Sequence, residues 1–344
     1  MRDNAQQQKA LLDAQQQKAL LDACKNGKTQ LAMDLLAHGA NVDQASKNGL
    51  TALHIACESG HTEVARLLLE HGADANNHGL LHFACHFGHA ALVGLLLEHG
   101  ADVNKADKNG ETALHFACIK DHADVVKKLL EDGAEVNKAN NNGRTALHFA
   151  CTIGHAEVVK ELLDRAANVN QVNKNGTTPL LLACHGGHTE AVKELLGRGA
   201  KVGQADTHGL TALHLACHSG HAAVVRLLLA HGADVNQANN NGETPFRIAN
   251  RRNYTEIVAL FMEKNCAPGK RKRVEVKEPC SGAGAGAGAE AEAGAGAEAG
   301  PSEPASKRVQ FFESVQFFES DSHEPERRNS SLDEKADAPT PKRQ

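Results

Sequence analysis

Apolar and polar positions return along this chain in a fixed text. From Thr51 the order is Thr51-Ala52-Leu53-His54-Ile55-Ala56-Cys57, with Leu53, Ala56 and Cys57 at i, i+3 and i+4. That spacing lines one face of a short helix. Thr51 stands where an N-cap hydroxyl accepts a backbone N–H of the first turn. Gly60 supplies the left-handed residue that ends the helix, and its equivalents Asp121 and Asn253 belong to the few other types that tolerate that conformation. A second stretch follows from His61, in which Val64, Leu67 and Leu68 form an inner stripe closed by Gly72. Ahead of each unit, Lys47-Asn48-Gly49 or Asn141-Asn142-Gly143 carries the Asn-Gly pair of a tight hairpin. The predicted unit is two antiparallel helices and a hairpin loop.

The unit repeats. Cys24, Cys57, Cys85, Cys118, Cys151, Cys184 and Cys217 are separated by 33, 28, 33, 33, 33 and 33 residues, and the Thr-to-Cys text returns around most of them. A fixed period in this range predicts a stacked array in which one unit cannot bury its apolar face and neighbours do it instead. Small residues such as Ala56 and Cys57 let adjacent helices approach. Eight units begin near residues 14, 48, 78, 109, 142, 175, 208 and 241. The expected fold is an all-α repeat solenoid, elongated and curved.

This text resembles the ankyrin repeat, whose Thr-Pro-Leu-His-x-Ala core is most literal at Thr178-Pro179-Leu180 and Thr244-Pro245. The resemblance covers residues 14–266. It implies a non-catalytic protein-interaction scaffold that contacts its partner through hairpin tips and through the two variable residues after each first-helix motif. Those pairs are Glu58-Ser59, His86-Phe87, Ile119-Lys120, Thr152-Ile153, His185-Gly186 and His218-Ser219. The candidate partner-binding residues are therefore Phe87, Ile119, Lys120, Thr152, Ile153, His185 and His218. Phe87, Ile119 and Ile153 fall on three neighbouring units, and a contiguous exposed apolar patch marks a partner site.

Several positions depart from the pattern. Ala5 to Asp13 recurs word for word as Ala14 to Asp22. Nine residues advance a helix by about 900°, so the two Leu-Leu pairs point to opposite sides. Only the second copy is in register, Leu20, Ala23 and Cys24 lying 33 before Leu53, Ala56 and Cys57, which makes residues 1–13 a surplus helical extension. The third unit is five residues short and has no Thr before its helix, so its hairpin is expected to be stunted and its first helix uncapped. Ala166 replaces the Gly after a second helix, and Gly203 replaces the usual Asn. The last unit exchanges the motif's His for Arg247 and adds Arg251, Arg252 and Tyr254, the polar surface of a cap.

Composition narrows the classes. The 344 residues would suit two or three ordinary domains; the period reduces them to an extension at 1–13, a repeat domain at 14–266 and a tail at 267–344. Aromatics are 3%, which a stack of small residues does not need. A formal charge of −5 does not advertise direct nucleic-acid binding. No run of eighteen apolar residues predicts a membrane span, and the first residues lack the apolar core of a secretory signal. Nine Cys then read as reduced thiols. Segments such as Cys85-His86-Phe87-Gly88-His89 look like metal sites, but the same Cys and second His recur in most units, and no C-x-x-C pair supplies four convergent ligands. No hydrolase, zincin or phosphate-loop motif appears. The expectation is no enzyme, no cofactor, no metal, and a monomer.

After Cys266 the period vanishes, and Pro, Gly, Ser, Ala and Glu predict disorder over 267–344. The tail holds 12 basic and 14 acidic residues. Lys270-Arg271-Lys272-Arg273 resembles a short nuclear import signal read by importin, which places the chain in the nucleus, the cytoplasm or both. Lys307-Arg308-Val309-Gln310-Phe311 resembles the Arg-Val-x-Phe motif that docks regulatory subunits on the type-1 protein phosphatase catalytic subunit. In that mode Val309 and Phe311 fill pockets while an extended strand pairs with a sheet edge. Ser330, after Arg327-Arg328-Asn329, and Thr340, before Pro341, resemble kinase sites.

Overall fold

The computed structural model describes residues 2–266, apart from 47, 48 and 78. The tail motifs at Lys270–Arg273, Lys307–Phe311, Ser330 and Thr340 lie outside the described residues. The chain there is built of helix pairs, one pair for each unit counted in the sequence. The first four are α1 (Arg2–Lys25) with α2 (Thr29–Ala37), α3 (Ala52–Ser59) with α4 (Thr62–Glu70), α5 (Leu80–His86) with α6 (Ala90–Glu98), and α7 (Ala113–Ile119) with α8 (Ala123–Glu131). The second four are α9 (Ala146–Ile153) with α10 (Ala156–Asp164), α11 (Pro179–Gly186) with α12 (Thr189–Gly197), α13 (Ala212–Ser219) with α14 (Ala222–Ala230), and α15 (Pro245–Arg251) with α16 (Thr255–Cys266). Each first helix packs on its own second helix and on the first helix of the next unit, and second helices pack in a parallel row. This is an all-α repeat solenoid. Among the described residues the hairpins carry isolated antiparallel bridges, Ala106 with Thr112 and Ala205 with Thr211.

The core follows the period. Leu53, Ala56 and Cys57 are at most 1% exposed, as are Val64 and Leu68 of the facing helix. The cysteines at 24, 57, 85, 118, 151, 184 and 217 are all free and buried, forming one column through the first helices. Burial in apolar surroundings pushes the Cys24 and Cys57 thiols up to about 12 and the others higher still.

The departures behave as chemistry requires. The duplicated segment does not form a separate element: α1 runs unbroken from Arg2, with Leu20 fully buried while Leu11 and Leu12 stand 62% exposed. In the third unit α5 has Gly79 at its N-cap with φ 80° and no side-chain cap. Asp121, Ala166 and Asn253 hold the left-handed conformation that glycine holds at equivalent positions, with φ of 61°, 61° and 58°.

Candidate functional site

The variable residues sit at the C-terminal ends of the first helices, and the next unit fixes them there. In successive units a histidine just before the second helix donates from Nε2 to the carbonyl that ends the preceding first helix. His122 reaches the His86 carbonyl at 3.1 Å, His155 that of Ile119 at 3.3 Å, His188 that of Thr152 at 3.0 Å and His221 that of His185 at 3.0 Å. Those four carbonyls belong to the first residue of each variable pair. The ring also lies against the glycine that ends the preceding helix. A Cβ on Gly88 would come 2.4 Å from His122, and one on Gly154 would come 2.2 Å from His188. Both the small residue and its left-handed φ are therefore needed for this contact. Where Asp121 replaces glycine, His155 Nδ1 lies 3.3 Å from its carboxylate.

A second set of histidines sits inside the first helices. His54, His115, His148 and His214 accept at Nδ1 from the backbone N–H of the preceding Thr, at 3.0–3.2 Å. For the last three, Nε2 then carries the proton and donates to a carbonyl 29 residues on, Arg144, Thr177 and Glu243 respectively. Burial pushes His115 down to about 4 and His148 to about 3. Both histidine sets thus commit Nε2 to main-chain carbonyls of a neighbouring unit. Among the described residues, no three or more His, Cys, Asp and Glu side chains cluster as a metal site would require.

On this frame the candidate residues separate. Phe87 and Ile153 are each 39% exposed, while Ile119 is half-buried. Phe87 does not fold away: its ring meets His86 edge-on at 5.1 Å and lies 6.3 Å from both Phe83 and the stacked ring of His89, yet the residue stays 39% exposed. Thr152 is committed inward, its hydroxyl donating to the His148 carbonyl at 2.8 Å and accepting from Arg144 at 2.7 Å. Lys120 and His185 are half-buried, and His185 Nδ1 pairs with the Ser219 hydroxyl at 3.3 Å. His218 differs from the expectation of a surface residue. It is 9% exposed because Arg252 of the last unit lies against its ring, and burial together with the Arg252 charge pushes its pKa down to about 3.

Three contributors are not in the variable pairs. Phe83 and Phe116, one residue after the motif histidine, are half-buried and stack edge-on to His54 and His82 of the unit before. Val172 is 39% exposed on a hairpin where other units carry Ala106, Ala139, Ala205 and Ala238. Aligning the hairpins exposes that substitution; the ring contacts depend on the stack and leave no signal within one unit.

The family described as ankyrin repeats (3 copies) matches the chain at residues 3–79, 73–140, 136–206 and 198–272. No curated protein matches it.

Proposed function

The chain belongs to the ankyrin-repeat family, and from that premise we propose that it is a non-catalytic adaptor that binds a partner protein across the first-helix face of units three to five. Ankyrin repeats are generally protein–protein interaction modules, and a solenoid offers an extended surface for that purpose. The observation that carries this reading is the pair of open apolar side chains, Phe87 and Ile153, on a backbone pinned by the next unit's histidines. A site held in place before binding loses less entropy on association. Proximity labelling with the full chain and with a Phe87→Ala/Ile153→Ala variant tests it. Loss of the major labelled proteins is the expected result; an unchanged set overturns the placement.

The tail gives this adaptor an address. Lys270-Arg271-Lys272-Arg273 supports import through importin and a role in the nucleus as a cofactor. Replacing the four by Ala tests it, since unchanged localisation refutes import. A second reading rests on Lys307-Arg308-Val309-Gln310-Phe311: the chain targets the type-1 protein phosphatase catalytic subunit, with the repeats selecting the substrate. Titration of that subunit with a peptide spanning Ser306 to Ser320 decides it. The two readings use different segments and are compatible.

A further inference from the structure

The variable pairs change chemistry along the row. Units three to five carry Phe87, Ile119 and Ile153, whereas the last unit carries Arg251-Arg252, with Arg247 one helical turn earlier. All three arginines are exposed. Arg251 pairs with the carboxylate of Glu243, a residue only 6% exposed. Arg252 rests instead on the ring of His218, which stays neutral, and Arg247 donates to the Gly242 carbonyl at 3.5 Å. Among the described residues neither Arg247 nor Arg252 has a carboxylate partner. Three arginines against one glutamate leave this end with two positive charges in excess. Cations suit a helix C-terminus, but Arg247 and Arg251, four residues apart, repel each other and offset that gain.

Phe87, Lys120, Ile153, Gly186, Ser219 and Arg252 occupy the same place in successive units, so only the small Gly186 and Ser219 stand between Ile153 and Arg252. Packed helices lie about 8–10 Å apart, which makes Phe87 to Ile153 roughly 16–20 Å and Ile153 to Arg252 roughly 24–30 Å. An extended segment advances about 3.3 Å per residue and turns alternate side chains to one face. To follow the row it needs two apolar side chains about six positions apart and an acid about eight positions further on, all at even spacing. The chain's own tail carries that pattern. Phe312 precedes Phe318 by six residues, Glu326 follows by eight, and Glu324 shares their parity. Between them the same face would turn Ser320 and Ser322 toward Gly186 and Ser219. Glu319 and Asp321 add acid to the same stretch.

We propose that residues 312–326 of the tail dock in extended form along this row, with Phe312 on Phe87, Phe318 on Ile153, and Glu324 and Glu326 at Arg247 and Arg252. The two arginines offer charge-assisted donors to those carboxylates. The tether is long enough: residues 267–310 are 44 in number and span at most roughly 145–160 Å. The five steps from the last unit back to the third cover only about 40–50 Å. Docking within one chain proceeds at an effective concentration on the order of millimolar, so a few contacts suffice. Phe311 has the opposite parity to Phe312, which keeps the Arg308-Val309-Gln310-Phe311 stretch clear of the row. This docking rests on the reading of Phe87 and Ile153 as a binding surface, and it makes the tail a competitor of the partner protein there.

Amide chemical shifts of the full chain test it. The full-length variant Phe312→Ser/Phe318→Ser, altered only in the tail, is expected to shift the signals of Phe87, Ile153 and Arg252 while those of the buried Cys57 and Cys118 stay in place. Excess synthetic peptide of residues 310–326 moves the shifted signals back. Arg252→Glu displaces the same set, and adding Glu324→Arg and Glu326→Arg to it returns Phe87 and Ile153 to their wild-type positions. Signals that ignore the tail variant, no response to excess peptide, or a charge exchange that restores nothing overturns the proposal. Shifts that depend on protein concentration also overturn it, assigning the contact to the tail of a second copy. Proximity labelling separates this outcome from the partner's. Release of the tail by Phe312→Ser/Phe318→Ser is expected to raise labelling of the proteins that Phe87→Ala/Ile153→Ala loses. Signals that respond to the tail while Phe87→Ala/Ile153→Ala loses no labelled protein uphold the docking and refute the partner.

Discussion

Nδ1 of His148 accepts from both the backbone N–H of Thr145, at 3.1 Å, and its hydroxyl, at 2.9 Å. That pair of donors leaves Nε2 as the protonated nitrogen, bound to the Thr177 carbonyl at 3.2 Å in the next hairpin. One ring thus caps its own helix and ties two units together. A second proton would have to displace Thr145 inside a residue that is 0% exposed.

The first prediction concerns acid stability. His115 and His148 are held near 4 and 3 in the folded chain, against about 6.5 when unfolded. The unfolded state therefore binds more protons below pH 6.5, and stability falls as pH is lowered, by about 1.4 kcal/mol per pH unit for each histidine. Their contribution is fully present above pH 6.5 and is lost progressively toward pH 4 for His115 and pH 3 for His148. Urea midpoints at pH 7.0, 5.5 and 4.5 should decline steadily; a flat profile refutes the account.

Gly203 interrupts a second ladder. Asn104, Asn137 and Asn170 each accept at Oδ1 from a backbone N–H in the next unit, at 2.7–2.8 Å, and donate to a carbonyl there at 3.2–3.4 Å. Gly203 has no side chain to reach the corresponding Asp234 N–H and Gly232 carbonyl. The nearest atom to a Cβ at this site is Gln237 Oε1 at 3.9 Å, so there is room. Gly203→Asn should raise stability by about 0.5–1.5 kcal/mol, the net value of a hydrogen bond, read as a higher Tm.

Ala166 holds φ 61° at a position where Gly133 and Gly199 hold 89° and 82°. The left-handed conformation costs an alanine about 1–2 kcal/mol, and the greater freedom of glycine in the unfolded chain offsets part of that gain. Ala166→Gly should stabilise by roughly 0.5–1 kcal/mol. Chemical denaturation checks the sign, and a lower midpoint would show that the Cβ makes a compensating contact.

The thiol column should be inert in the native chain. The thiolate is the reactive form, and burial holds Cys24 and Cys57 near 12 and the other five higher. Iodoacetamide at pH 8 should leave the seven core cysteines unlabelled, and denaturant should expose them all. Mass spectrometry of the labelled peptides reports both, and labelling of Cys118 or Cys151 without denaturant contradicts the packing.

Much of this was legible in the sequence because the period carries it. The 33-residue spacing placed Leu20, Ala23 and Cys24 in the core, and each is fully buried. The deletion in the third unit foretold an uncapped α5, and the position of Gly60 in its unit foretold the left-handed Asp121 and Asn253. What the text of one unit could not reveal lies between units. His218 reads as a surface residue until Arg252, 34 positions later, covers it. The ring stacking of Phe83 on His54 likewise exists only once the third unit is set upon the second.

The overhanging half of α1 shows where such an array accepts change. The duplicated copy adds nine residues beyond the first unit, and downstream the bonds of His122, His155, His188 and His221 to the preceding units are in place. The same nine residues inserted between α9 and α10 would part Ile153 from the Gly154 that ends its helix and disrupt the join between the two helices. Copying errors within a repetitive gene are thus filtered by location: an internal duplication survives when it spans a whole period, whereas a terminal one of any length is absorbed as overhang.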